Sequence, residues 1–227
     1  MPENSSEGST TPSKQVKWRN LEDFLKSHIY KKGTHPFHTH TRIKNEEEGI
    51  PGGSFYIPQE DIPAFHELYV NSVFVKNKKA HFTEKQLEKG IILVDLDFRY
   101  TLDTTERQHN EDDIAEIRDI YLDELKELYQ FDETTAFDVV IMHKPNVNRV
   151  PEKNVTKDGI HIVITIPTKR SVQMLLRKRV LERMKNSESL AQLPNISDWE
   201  DVLDSSIVKG STNWQMYGSC KPGCEAY

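Results

Sequence analysis

Hydrophobic and polar residues alternate most regularly between Ile91 and Tyr100. There Val94, Leu96 and Phe98 fall on one side of an extended chain, and Asp95 and Asp97 on the other. Side chains change face at every residue of a strand, so this run predicts a strand with one core face and one acidic face. A second alternation starts at Ile160. Ile160, Ile162, Ile164 and Ile166 share one face and His161, Val163 and Thr165 the other, with Pro167 as the expected stop. Residues 137–142 read as a third strand. Helical spacing takes over across 112–129, where Ile114, Ile117, Tyr121, Leu125 and Leu128 recur at three and four. It returns across 168–185, with Val172, Leu175, Leu176, Val180 and Met184 inward and a basic outer face. Shorter helices are expected over 21–30 (Leu21, Phe24 and Leu25 inward), over 62–75 (Phe65, Leu68 and Tyr69 inward) and over 198–203. Residues 31–53 and 144–157 read as polar connections, 101–110 as a polar, mobile loop, 186–197 as a linker, and 207–218 as a last strand or hairpin. No internal repeat is found.

Strands mixed with helices in this order predict an α+β fold, a mixed sheet covered by helices on one side. The 227 residues suit one large domain or two small ones. A hydrophobic content of 36% with 29% charged residues allows a sizeable core under a very polar surface. No run approaches the roughly 18 to 20 apolar residues of a membrane helix, so no membrane partner is expected. The first residues are rich in Ser, Thr, Pro and Glu without an apolar centre, which reads as a disordered leader and not a signal peptide. The expected division is a leader over 1–18, an N-terminal part over 19–90 and a core over 91–227. Two cysteines, Cys220 and Cys224, are too few for a disulfide scaffold. A reducing compartment, cytoplasmic or nuclear, is the default.

The net charge of -6 argues by itself against nucleic acid. Its distribution argues the other way. Residues 95–138 carry 15 acids against 4 bases, residues 143–185 carry 11 bases against 3 acids, and residues 1–44 carry 8 bases against 4 acids. Segregation of this kind can give a basic surface on an acidic protein, and the helix around Arg170, Arg177, Lys178, Arg179 and Arg183 is a candidate nucleic-acid track. The same face can equally be a solvated one.

Two carboxylates side by side on one strand face repel, and burying them uncompensated is costly. A divalent cation is the economical answer, since Mg²⁺ typically takes one or two carboxylates plus phosphate oxygens and water. If the histidine strand neighbours the aspartate strand, His161 joins Asp95 and Asp97 on the open face, and Gly159 lets a ligand approach closely. Downstream, Asp204 precedes an apolar pair, and Gly218, Ser219 and Lys221 form a small-residue turn with a cation suited to a phosphate group.

Taken in order, the Asp-x-Asp strand, the Lys-x-Gly-x-His strand, the isolated aspartate and the Tyr-Gly-Ser-x-Lys turn resemble the archaeo-eukaryotic primase superfamily. Thr39-His40-Thr41-Arg42-Ile43 and Gly52-Gly53-Ser54-Phe55-Tyr56-Ile57-Pro58 resemble the primase-helicases of large DNA viruses. The resemblance spans roughly 38–221. It implies an RRM-like primase core that synthesises primers on a single-stranded DNA template from nucleoside triphosphates, with Mg²⁺ or Mn²⁺ as cofactor. It assigns metal binding to Asp95, Asp97 and Asp204. It assigns triphosphate contacts to His161, Lys157 and Lys221, with Gly159 and Ser219 beside them, and a phosphate or template contact to Arg42. A helicase module elsewhere in a longer protein, and action where viral DNA replicates in a host cell, are further implications. Two departures stand out: Gly159 occupies a position where many relatives have serine, and Thr212-Asn213-Trp214-Gln215 replaces an asparagine-arginine pair.

Three other readings compete. A replication-initiator nuclease would use His38 and His40 with Tyr100 or Tyr217 as nucleophile, but leaves Asp95, Asp97 and Lys221 unexplained. A non-catalytic nucleic-acid-binding module would not need intact acids. His35, His38 and His40 could also bind zinc with Cys220 and Cys224.

Overall fold

The computed structural model describes residues 17–227, so the expected leader lies outside the described residues apart from its last two. The strand predicted at the aspartate pair is β4 (Lys89–Thr101 in a chain order that begins with β1, His40–Arg42, β2, Gly53–Phe55, and β3, Phe82–Glu84). It pairs antiparallel with β7 (Val155–Lys169), which also pairs with β5 (Val139–His143) and β6 (Asn148–Val150). Val94, Leu96, Phe98 and Tyr100 are all buried on the apolar face of β4, as are Ile160, Ile162 and Ile164 on β7. They meet α3 (Glu111–Leu128) and α4 (Arg170–Lys185), which cover that side of the sheet. Ile114, Ile117, Tyr121 and Leu125 face this core from α3, whose start is fixed by an Asn110–Asp113 capping box. The fold is α+β, with antiparallel sheets and helices packed on them.

The N-terminal part has its own small sheet, in the order β2-β1-β3-β8, where β8 is Trp214–Gln215. Its core holds Leu21, Phe24 and Leu25 of α1 (Leu21–Ser27) and Phe65 and Tyr69 of α2 (Ile62–Val70), together with Phe55 and Phe82. Met216 joins that cluster and the Cys220 amide bonds the Ala80 carbonyl. The tail thus returns from the later part of the chain to complete the N-terminal sheet, and the two parts are interlaced.

Several expectations are corrected. β7 does not stop at Pro167 but runs on to Lys169. Its pairing with β4 shifts register between Gly90 and Ile92, and the β5 ladder ends at Ile164, so Pro167 sits where no ladder hydrogen bond is asked of it. The supposed connection over 31–53 contains β1, and that over 144–157 contains β6 and the start of β7. Within the 101–110 loop, Arg107 bonds both carboxylate oxygens of the fully buried Asp158 and His109 is itself buried, so this segment is fastened down. Leu175 points outward, while Gln173 and Arg177 take inward places on α4.

Candidate active site

The acidic face of β4 is built by register. Asp95 pairs with His161 and Asp97 with Gly159 across the β4–β7 ladder, so all four positions share the face opposite the helices. Met142 of β5 is in register with His161 on the other side. The lower part of this face is closed by Ile207 and Trp214 packing on Leu93 and Val163. The upper part opens into a cleft of about 1040 Å³. Thr41, Thr83 and Gln215 of the small sheet line its opposite wall.

Asp204 reaches the site by a different route. After α5 (Trp199–Val202) the chain lies along the free edge of β4: Leu203 bridges Leu96, and the Asp204 amide donates to the Asp95 carbonyl at 2.9 Å. Arg177 fastens this approach from α4. Its guanidinium donates to the Leu203 carbonyl, to the Glu200 carbonyl at 3.1 Å and to the Glu200 carboxylate at 2.9 Å. The Asp204 carboxylate accepts from the Ser206 amide and hydroxyl, both at 2.7 Å, which sets its direction.

The electrostatics are those of crowded acids among bases. Burial first, then the negative charges of Asp204 and Asp97, push the Asp95 carboxyl up to about 7. Asp97 is already matched: Lys157 donates to it at 2.7 Å and Arg99 at 3.3 Å. The His161 Nε2 lies 3.6 Å from the Asp95 carboxylate. Burial, then the positive charges of Lys144 and Lys221, hold the imidazole down at about 3, so it is neutral at physiological pH. Its Nδ1 is buried without a hydrogen-bond partner.

Asp95, Asp97, Asp204, His161, Lys157, Gly159 and Lys221 therefore line one cleft. Arg42 and Ser219 do not. Arg42 is buried in the N-terminal part over Phe55 and Phe82 and pairs with Glu22. Ser219 is fully buried, bonded to the Tyr69 hydroxyl and the Phe82 amide. Lys144, Arg99, Trp214 and Tyr227 also line the cleft and were not anticipated. Lys144 could have been found had the β5–β7 pairing been known, since it follows β5 directly; nothing local to Tyr227 marks it.

The basic face of α4 is largely spoken for. Arg170 pairs with Glu88, Arg177 is buried, and Arg179 and Arg183 pair with Glu124 and Asp123 of α3. His40 is buried beside Phe65, where burial and then the charge of His66 push it down to about 4, and Tyr100 is buried in the main core. Neither is placed for nuclease chemistry. Among the described residues, no group of three or more His, Cys, Asp and Glu side chains is gathered closely enough to hold an ion as it stands. His81, not the three loop histidines, is the neighbour of Cys220, with Sγ and Nδ1 3.6 Å apart.

An Asp-x-Asp strand in register with a histidine strand, a third aspartate fastened to the strand edge and lysines around the cleft are the features of a primase-polymerase-type domain. Residues 39–227 match the family described as C962R protein N-terminal AEP domain, and the chain belongs to this archaeo-eukaryotic primase family. It is also 28% identical over 211 residues to "Putative helicase L207/L206" of Acanthamoeba polyphaga mimivirus, an alignment covering 92% of this chain. The chain spans only 21% of that protein's length.

Proposed function

We propose that this domain performs template-directed nucleotidyl transfer, making primers on single-stranded DNA from nucleoside triphosphates. The observation that carries the reading is the meeting of Asp95, Asp97 and Asp204, from two remote stretches of chain, with His161 in one cleft bordered by Lys157, Lys144 and Lys221.

The residues fit a divalent cation. Three carboxylates supply hard oxygen donors, and the Asp95 carboxyl is raised first by burial and then by the charges of Asp204 and Asp97. Lys157 and Arg99 now supply the positive charge at Asp97. Asp95, Asp97 and Asp204 would hold Mg²⁺ or Mn²⁺, which in such sites acidifies the attacking 3′-hydroxyl and stabilises the leaving pyrophosphate. The protein's own contribution is charge and position. Lys157, Lys144 and Lys221 offset the triphosphate's charge as it shifts toward the leaving group. His161, kept neutral, donates a hydrogen bond to a phosphate oxygen without adding a full charge beside Asp95. Across the cleft lie Thr41 and Thr83 of the small sheet, with Asn213 bonded to both, where sugar, base or template would lie. A helicase module elsewhere in a longer protein fits the mimivirus relative's name and length.

The test is synthesis itself. Purified protein with single-stranded template, labelled nucleotides and Mg²⁺ or Mn²⁺ is expected to yield short labelled products, and Asp95→Ala to lower the yield at least a hundredfold, the scale expected when one electrostatic element of a catalytic site is removed. A folded Asp95→Ala protein with undiminished yield rejects the function.

A further inference from the structure

The imidazole assigned above to a phosphate oxygen is covered. His161 is only 4% exposed. The ring of Tyr227 stacks on it with centroids 3.6 Å apart and planes 18° from parallel, and Trp214 lies against it at 4.0 Å. The Tyr227 ring also carries the Lys144 ammonium, 4.9 Å from its centroid. It therefore sits against two of the groups that a triphosphate would need.

Its hydroxyl rests on Gly159, where any Cβ would collide with the tyrosine oxygen. The place of Tyr227 thus depends on the glycine in the middle of β7. The segment leading to it turns at Gly223, with φ of +74°, directly after Pro222. It is tied to the β5–β6 connection by Glu225, whose carboxylate accepts from the Asn146 amide at 3.2 Å and side-chain amide at 2.8 Å. Among the described residues these polar ties hold the approach to the ring, and the ring itself is held by its stack on His161 and its contact with Lys144. The unpartnered His161 Nδ1 is a buried polar atom that a stacked ring leaves unsatisfied and a phosphate oxygen would satisfy.

We propose that Tyr227 is a gate on the triphosphate subsite. Its ring occupies the space of phosphate groups beside His161, Lys144 and Gly159, and it swings out when a nucleoside triphosphate binds. This rests on the nucleotide site proposed above and adds the residue that sets access to it. A closed gate lowers apparent affinity by the fraction of molecules that stand open, so removing it raises affinity by the inverse of that fraction.

The experiment measures binding of fluorescent deoxyadenosine triphosphate with Mn²⁺ and no template, using the full chain. Tyr227→Ala, which removes the ring, is expected to bind about tenfold more tightly, the gain for a gate open about a tenth of the time. Glu225→Ala, which touches neither the cleft nor the ring, is expected to move affinity the same way by a smaller factor. In the wild type, nucleotide is expected to speed amide exchange across 223–227. Weaker binding by Tyr227→Ala, or no change in either variant, overturns the gate. The nucleotide site itself survives that result if wild-type binding is still lost in His161→Ala. No binding by the wild type or by either variant removes the gate and the nucleotide site together.

Discussion

Asp95 is the residue on which charge and stability act against each other. In the unfolded chain its carboxyl titrates near 3.8, and in the folded protein near 7. Between these values the folded state holds a proton that the unfolded state has lost, so stability falls as pH rises through the window from about 4 to about 7. Asp95→Asn removes the charge forced into that place. In metal-free buffer near pH 8 its Tm is expected to exceed the wild type's, with the difference gone by about pH 4. A divalent ion is expected to narrow the gap by binding the folded wild type alone. A variant less stable than the wild type near pH 8 contradicts this account of the site. At this scale the sequence was informative where chemistry follows strand alternation: Asp95 and Asp97 share a face because they are two residues apart on β4, and His161, on the polar face of its own strand, joins them through the β4–β7 register. Arg42 and Ser219 read as exposed phosphate contacts, but their surroundings come from the N-terminal core, which no local pattern describes. Tyr227 was invisible for the converse reason, since its partners lie 66 and more positions away in sequence (161 to 227).

α4 shows how an element's sequence can suggest one role and its packing another. Its arginines look like a nucleic-acid face, yet α3 beside it is strongly acidic, and the two helices neutralise each other through Arg179, Arg183, Glu124 and Asp123. Part of the charge segregation visible in the sequence is taken up by this contact. Arg183→Ala is accordingly expected to cost no more than about 1 kcal/mol of stability. It is also expected to leave both the affinity for single-stranded DNA and its salt dependence unchanged in a fluorescence anisotropy titration. A weaker complex with a shallower salt slope would instead return α4 to the template path. Arg177 does something else on the same helix: it anchors Leu203 and so delivers Asp204 to the site. α3 and β4 were legible because their apolar periodicity is uninterrupted, and α4 was legible as a helix although Gln173 and Arg177 take inward places on it. β1 and β6 were not, being three residues each and defined only by the strands they pair with, while β8 is a two-residue strand within the last strand or hairpin expected over 207–218. β7 was cut short because a proline argues against a strand unless the register shift that shelters it is known.

Across the whole molecule, two antiparallel sheets face each other over the cleft, and the chain crosses between them after Asp204 to add β8 to the small sheet. The arrangement makes the site depend on both parts: one supplies Asp95, Asp97, His161 and, fastened to the edge of β4, Asp204, and the tail that carries Lys221 is pinned to the other. The α+β class and the family were legible from the order of motifs along the chain, while the interlacing was not, because it rests on contacts of residues 214–220 with residues 69–84. The central claim is that the three acids act as one cation site, and Mn²⁺ binding followed by electron paramagnetic resonance tests it directly. With nucleoside triphosphate present, wild type is expected to bind Mn²⁺ in excess of the nucleotide's own uptake, and Asp95→Asn and Asp204→Asn are each expected to lose that excess. A folded Asp204→Asn protein that binds Mn²⁺ as the wild type does would contradict the claim.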